Sequence, residues 1–144
     1  MIKISYPSYS FKIETREGKE YIFDPLRKKW IRLTPEEWVR QNFLQYLLQV
    51  MNYPASLIAI EKEIQMGELK KRFDILVYKN DHPWLLIECK EMNTPIDEVV
   101  MQQLLRYQTV VQASYLIVTN GNDTRGIGRE NDQLITLNTI PVYQ

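Results

Sequence analysis

Cysteine and histidine are nearly missing from this chain: among its 144 residues, Cys89 and His82 stand alone. A lone cysteine excludes an intrachain disulfide framework and a Cys-rich zinc site, and a lone histidine leaves little for imidazole-based metal binding. Any Ser-His or Cys-His catalysis would have to run through His82, which sits before Pro83 and reads as a solvent-exposed turn residue. Glycine (5) and proline (7) are also sparse, while hydrophobic residues make up 44% and charged residues 25%. That balance excludes collagen-like and disordered classes and suits a packed core. Charge of one sign is not in excess: 18 Lys and Arg face 18 Asp and Glu. No global field draws in nucleic acid or an anionic membrane, so any such partner must be held by a local patch. No apolar run approaches the roughly 18 residues of a membrane span, and the start Met1-Ile2-Lys3-Ile4-Ser5-Tyr6 lacks the apolar region of a signal peptide. A cytoplasmic protein without membrane association is expected. Internal repeats and low-complexity tracts are absent, and so is a G-x-x-x-x-G-K-[ST] loop, which leaves a motor or NTPase function without support.

What is present fits one domain by length. Residues 11–15 and 21–23 are strand-like runs around Arg16-Glu17-Gly18-Lys19, predicting an N-terminal β-hairpin extension over residues 1–33 ahead of a main unit over 34–144. Thr34-Pro35-Glu36-Glu37 is a helix start, with Thr34 as N-cap, Pro35 at the first helical position and Glu37 three residues after the cap. Val39, Phe43, Tyr46, Leu47 and Val50 carry the helical period to about Met51, and Asn52-Tyr53-Pro54 stops it. Three strands come next over 57–64, 72–78 and 84–90, joined by hairpin-length turns. Trp84-Leu85-Leu86-Ile87 is apolar without alternation, which implies a strand covered on both faces. Thr94-Pro95-Ile96-Asp97 repeats the cap-then-proline pattern and opens a second helix to about Gln112. An apolar strand over 114–119, a loop around Gly126-Ile127-Gly128 and a last strand over 133–137 complete an α/β order.

The hairpin over 72–90 is where chemistry can sit. A five-residue loop centred on Asp81 places Asp74 opposite Glu88 and Arg72 opposite Lys90. Two carboxylates about 5 Å apart repel by about 3 kcal/mol at an effective dielectric near 20. Diagonal pairing of Asp74 with Lys90 and of Glu88 with Arg72 would neutralise the cluster. A divalent cation between the two carboxylates would do so as well, in the manner of Mg²⁺, which takes few carboxylates and keeps several waters and phosphate oxygens. Lys90 would then orient a water or stabilise a developing phosphorane charge, and Cys89, of opposite parity, would point into the core. On the second helix, Gln103, Arg106 and Tyr107 fall at i, i+3 and i+4 and share a face. Trp30, Trp38 and Trp84 could stack on bases or pack in the core. Two basic groups, Arg27-Lys28-Lys29 with Arg32 and Lys70-Lys71-Arg72, could hold phosphates without reading sequence.

Asp74 followed by Glu88-Cys89-Lys90 resembles the PD-(D/E)XK nuclease signature, and Gln103 to Tyr107 resembles the Q-x-x-x-Y motif of its RecB-like branch. Together with residues 33–40, Tyr53-Pro54, Ile60-Glu61-Lys62, Arg72-Phe73-Asp74-Ile75 and Val118-Thr119-Asn120-Gly121, the string resembles the N-terminal nuclease domain of type I restriction enzyme R subunits in its short stand-alone form. The resemblance implies a restriction-endonuclease-like fold: a central mixed sheet of about four strands in αβββαβ order, flanked by helices. It also implies Mg²⁺-dependent cleavage of DNA, with Mn²⁺ able to substitute. Asp74 and Glu88 would be metal ligands, joined by the backbone carbonyl of Cys89, and Lys90 would be the catalytic lysine. Gln103, Tyr107 and Arg106 would support the lysine or contact the DNA backbone. An acidic residue on the first helix is an additional metal contact in many members of the fold. Glu37 is the candidate here, though it is equally the capping-box residue, and Glu61 and Glu63 are further acids nearby. Expected partners are DNA, held mostly through its backbone, and a protein supplying specificity or translocation. The alternative is a nuclease-fold module with little activity of its own that binds DNA or a partner protein.

Overall fold

Residues 13–32 form a three-stranded antiparallel meander, one strand more than the expected hairpin: β1 (Ile13–Arg16), β2 (Lys19–Asp24) and β3 (Lys29–Arg32). The computed structural model describes residues 1–144, apart from the side chain of Met66. The third strand exists because Asp24 closes the turn after β2, its Oδ1 accepting the Leu26 and Arg27 amides at 2.8 and 2.9 Å. Such an Asx-type turn brings Trp30 back opposite Phe23.

Helix α1 (Pro35–Gln45) begins as its sequence predicts, with Pro35 in the first turn and the Thr34 hydroxyl accepting the Glu37 amide at 3.1 Å. It runs on through one π-helical turn, Tyr46–Val50. Helix α2 (Glu98–Val110) starts three residues later than the cap-then-proline pattern predicts. Asp97 is the N-cap, accepting the Val100 amide at 3.1 Å, whereas Thr94 is held in a preceding turn by Glu91.

The main sheet has six strands, not about four: β4 (Ile58–Met66), β5 (Leu69–Lys79), β6 (His82–Cys89), β7 (Tyr115–Thr119), β8 (Thr124–Glu130) and β9 (Gln133–Thr136), ordered β4-β5-β6-β7-β8-β9. β6 and β7 are parallel, connected through α2, and every other pair is antiparallel. The expected loop at Gly126-Ile127-Gly128 is β8. Its glycines mark crowding, since a Cβ on Gly128 would lie 2.7 Å from the Tyr115 ring and one on Gly126 would lie 2.9 Å from Leu137. Phe43 and Leu44 of α1 and Leu47 of the π-helical turn pack on Ile75, Val77, Leu85 and Ile87. Leu104 of α2 packs with Phe73, Leu76, Leu86, Leu116 and Val118 on the other face. The unalternating run at 84–87 is covered on both sides, as such a run requires. No helix is long and apolar enough to cross a membrane among the described residues.

Two irregularities shape the β4–β5–β6 part of this sheet. The β5–β6 turn is the two-residue Asn80-Asp81, both at positive φ as a type I′ hairpin demands. Such a tight turn alone would offset the register by one from the expectation. Val77 pairs with Leu85 but Tyr78 with Pro83, leaving Trp84 as an extra residue on β6 that restores Ile75 opposite Ile87. The second irregularity lies between the pairs Ile60↔Ile75 and Lys62↔Phe73, where Glu61 has φ +54°. Ile60 and Ile75 pack on the α1 side while Ile64 and Phe73 pack on the α2 side, so both strands swap faces at Glu61 and Asp74.

Candidate active site

Strands β5 and β6 separate beyond Ile75↔Ile87, and Asp74 occupies the gap. Its Oδ2 accepts the Cys89 amide at 2.7 Å, and its Oδ1 accepts Arg40 Nη2 at 2.6 Å. Asp74 and Glu88 are therefore not a ladder pair, as an uninterrupted hairpin would make them. A neighbouring carboxylate has taken over a backbone donor at the splayed strand end, and a guanidinium from α1 holds its other oxygen. Arg40, 4% exposed, also donates from Nη1 to Glu37 Oε1 at 2.6 Å and lies 3.4 Å from Glu61 Oε1. Burial alone would make Arg40 easier to deprotonate, but Glu37 and Asp74 outweigh it and hold it more firmly charged than a free guanidinium.

Behind Arg40 lies a second guanidinium. Arg27, from the β2–β3 turn, donates to Asp24 Oδ2 at 2.6 Å and to Glu37 Oε2 at 2.8 Å, and stands 3.5 Å from Glu61. Gln41 bridges the same two carboxylates at 2.9 and 3.0 Å. Burial pushes the Asp24 carboxyl up, yet hydrogen bonds from Arg27 and Gln41 and the Arg27 charge bring it below the ordinary carboxylate value. Glu37 thus serves neither as a reciprocal capping box nor as a group open to solvent. Its carboxylate is the clamp between the two arginines. Its neighbour Glu36 is the helix acid that feels the site, pushed up by burial and by Asp74 and drawn down by Arg40 and Lys90.

Glu88 and Lys90 lie on the α2 side, lining a narrow cleft with Gln103, Leu104 and Tyr107. Lys71 donates to Glu88 Oε2 at 3.3 Å and packs its ammonium over the rings of Phe73 and Tyr107. The other oxygen, Oε1, is equally close to Lys71 but not aligned to receive a hydrogen bond, and is buried without one. Burial first, then the Asp74 charge, pushes the Glu88 carboxyl above its ordinary range, while Lys71 and Lys90 pull it down. Diagonal pairing is absent among the described residues: Asp74 takes Arg40 in place of Lys90, and Glu88 takes Lys71 in place of Arg72, which is exposed opposite Glu63. Lys90 donates its amide to Thr119 and makes no ion pair among the described residues. Cys89 is fully buried, and burial raises its thiol well above the ordinary value.

Gln103 Nε2 donates to the Tyr107 hydroxyl at 2.9 Å, so the two are one unit at the cleft wall, whereas Arg106 is exposed and outside it. His82 is exposed, Trp84 is core and Trp38 is at the surface. Sequence reasoning undervalued Arg40 and Lys71 and missed Arg27 as a site element. The spacing Glu36-Glu37-x-x-Arg40 carries a local signal, but Arg27 reaches Glu37 through tertiary folding alone. Two carboxylates at a splayed strand end, one with a buried oxygen that receives no hydrogen bond, suit Mg²⁺, which needs few protein ligands. No group of three or more metal-ligating side chains converges among the described residues, so waters and substrate oxygens would complete the shell.

These features define a mixed-sheet α/β domain with paired carboxylates and an unpaired lysine where two strands part. The family model for the type I restriction enzyme R protein N terminus matches residues 35–141, and the chain belongs to that family. A search of curated proteins finds no match.

Proposed function

We propose that this protein is a Mg²⁺-dependent DNA endonuclease of the PD-(D/E)XK type, hydrolysing phosphodiester bonds at Asp74, Glu88 and Lys90. The observation that carries the reading is the buried, unbonded Oε1 of Glu88 beside an Asp74 whose orientation is fixed from two sides. Mg²⁺ would be held by Asp74 and Glu88, with the Cys89 carbonyl as a further ligand, and would supply Lewis-acid polarisation of the phosphate and a more acidic water.

The rest falls to the chain's own groups. The Arg40 fork and the Cys89 amide fix both oxygens of Asp74, so no reorganisation is needed when substrate arrives. Lys71 stands 3.3 Å from both oxygens of Glu88, donates to Oε2, and leaves Oε1 without a hydrogen bond. Lys90, near the Glu36 and Glu88 charges but ion-paired to neither, offers its ammonium to the water or to the charge that builds on phosphate oxygens in the transition state. Gln103 and Tyr107 wall the cleft on the α2 side and limit the approach of the backbone to Glu88 and Lys90.

Supercoiled plasmid with Mg²⁺ or Mn²⁺ tests the reading. The wild type nicks it, and Lys90→Ala lowers the rate by about 10²–10³, the usual cost of a transition-state charge partner. Nicking that persists at the wild-type rate in Lys90→Ala or Asp74→Ala overturns the assignment. If wild type does not cleave and calorimetry detects no Mg²⁺ uptake, the nuclease reading falls and the alternative of a nuclease-fold binding module is favoured.

A further inference from the structure

The meander β1–β3 lies ahead of the matched family segment, and its two faces differ. Ile22 and Asp24 point inward and are fully buried. The register puts Tyr21 opposite Arg32, Phe23 opposite Trp30, Glu14 opposite Tyr21 and Arg16 opposite Lys19, so all of these share the outward face. Three of them are aromatic, and each ring is partly exposed. Cations lie over them: the Arg16 guanidinium is 5.2 Å from the Trp30 ring centre and 5.7 Å from that of Tyr21, and Lys12 Nζ is 5.7 Å from Phe23. With Lys19 and Arg32 the face carries four cations. Glu14 is its one acid, and its carboxylate is committed to Arg16 at 2.7 Å. A molecule of zero net charge has thus gathered a positive, aromatic platform on one sheet face.

We infer that this outward face binds single-stranded nucleic acid. Unpaired bases stack on aromatic rings and on arginine planes, and cations between them track the phosphates. A duplex could use only the cations, because its bases are already stacked on one another. The inference rests on the proposed nuclease function only in taking DNA as the substrate class, and it needs neither the metal nor the residues of the cleft.

The test is fluorescence anisotropy of a labelled oligothymidylate of about 20 nucleotides, in EDTA, with full-length protein. Single strands bind to the wild type more tightly than a duplex of equal length, and affinity falls with salt. Arg16→Ala/Lys19→Ala/Arg32→Ala, all at the meander surface, weakens binding at least about tenfold and flattens the log–log salt dependence by about 0.7 for each phosphate no longer neutralised. Trp30→Phe retains more affinity than Trp30→Leu at equal thermal stability, because a ring remains for stacking. Unchanged binding by the triple variant, preference for duplex, or no binding by wild type at low salt overturns the inference. Since cleavage is not measured, a protein that binds but never nicks defeats the nuclease reading and leaves this one standing.

Discussion

Arg40 ties helix α1 to strand β5, because one buried guanidinium fork serves Glu37 and Asp74 at 2.6 Å each. Removing one partner of a buried ionic cluster leaves the others uncompensated, at a cost of about 3–5 kcal/mol. Arg40→Ala is expected to lower the urea midpoint by that measure, and Arg40→Lys should recover little of the loss, since an ammonium cannot span both carboxylates in the planar geometry. Asp24 supplies a pH test. Its folded carboxyl sits below the ordinary value of 3.8, so the stability it contributes is present above that value and is lost as pH falls through the lower folded value. Asp24→Asn, which weakens the acceptor facing the Arg27 and Gln41 donors, should be destabilised near neutrality and show a shallower acid limb. Urea midpoints across the acid range decide it, and equal limbs in both proteins would contradict the assignment.

Among the elements, the helices and core strands were legible because their causes are local. Thr34-Pro35 dictates a start for α1, and the apolar run at 84–87 dictates a strand covered on both faces. Meander and β8 were less legible, since a third strand at 29–32 depends on Asp24 closing its turn and the glycines of β8 reflect crowding by Leu137 at Gly126 and by the Tyr115 ring at Gly128. In the site, the residues Asp74, Glu88 and Lys90 stood out by spacing, but their partners did not: Arg40 comes from a helix distant in sequence, and Lys71 reaches Glu88 from the neighbouring strand. The face swap at Glu61 also has no sequence signature, being an acidic residue at positive φ. Gly128→Ala is predicted to cost about 1–3 kcal/mol as an overpacking change, because Tyr115 is itself held edge-on by Trp84 at 5.3 Å and cannot turn away. Thermal denaturation measures this, and Tyr115→Leu in the same background should restore part of the loss.

For the molecule as a whole, the matched family segment is not independent of what precedes it. Ile2 is buried and donates its amide to Thr124 of β8, and Arg27 feeds the Glu37 clamp. A protein cut to residues 35–141 should therefore lose cooperative melting, as circular dichroism would register. Millimolar Mg²⁺ should stabilise the folded full chain by preferential binding, by about 1.4 kcal/mol at tenfold excess over the dissociation constant, seen as a higher melting temperature that Glu88→Gln should abolish. The linked side chains also have a stoichiometry. Asp24, Glu36, Glu37, Glu61, Asp74 and Glu88 share three ion-paired partners, Arg27, Arg40 and Lys71, while Lys90 acts on Glu36 and Glu88 only through its charge. Formal negatives outnumber positives in this cluster whether or not Lys90 is counted, so the molecule of zero net charge concentrates negative potential where the two strands part and draws cations there.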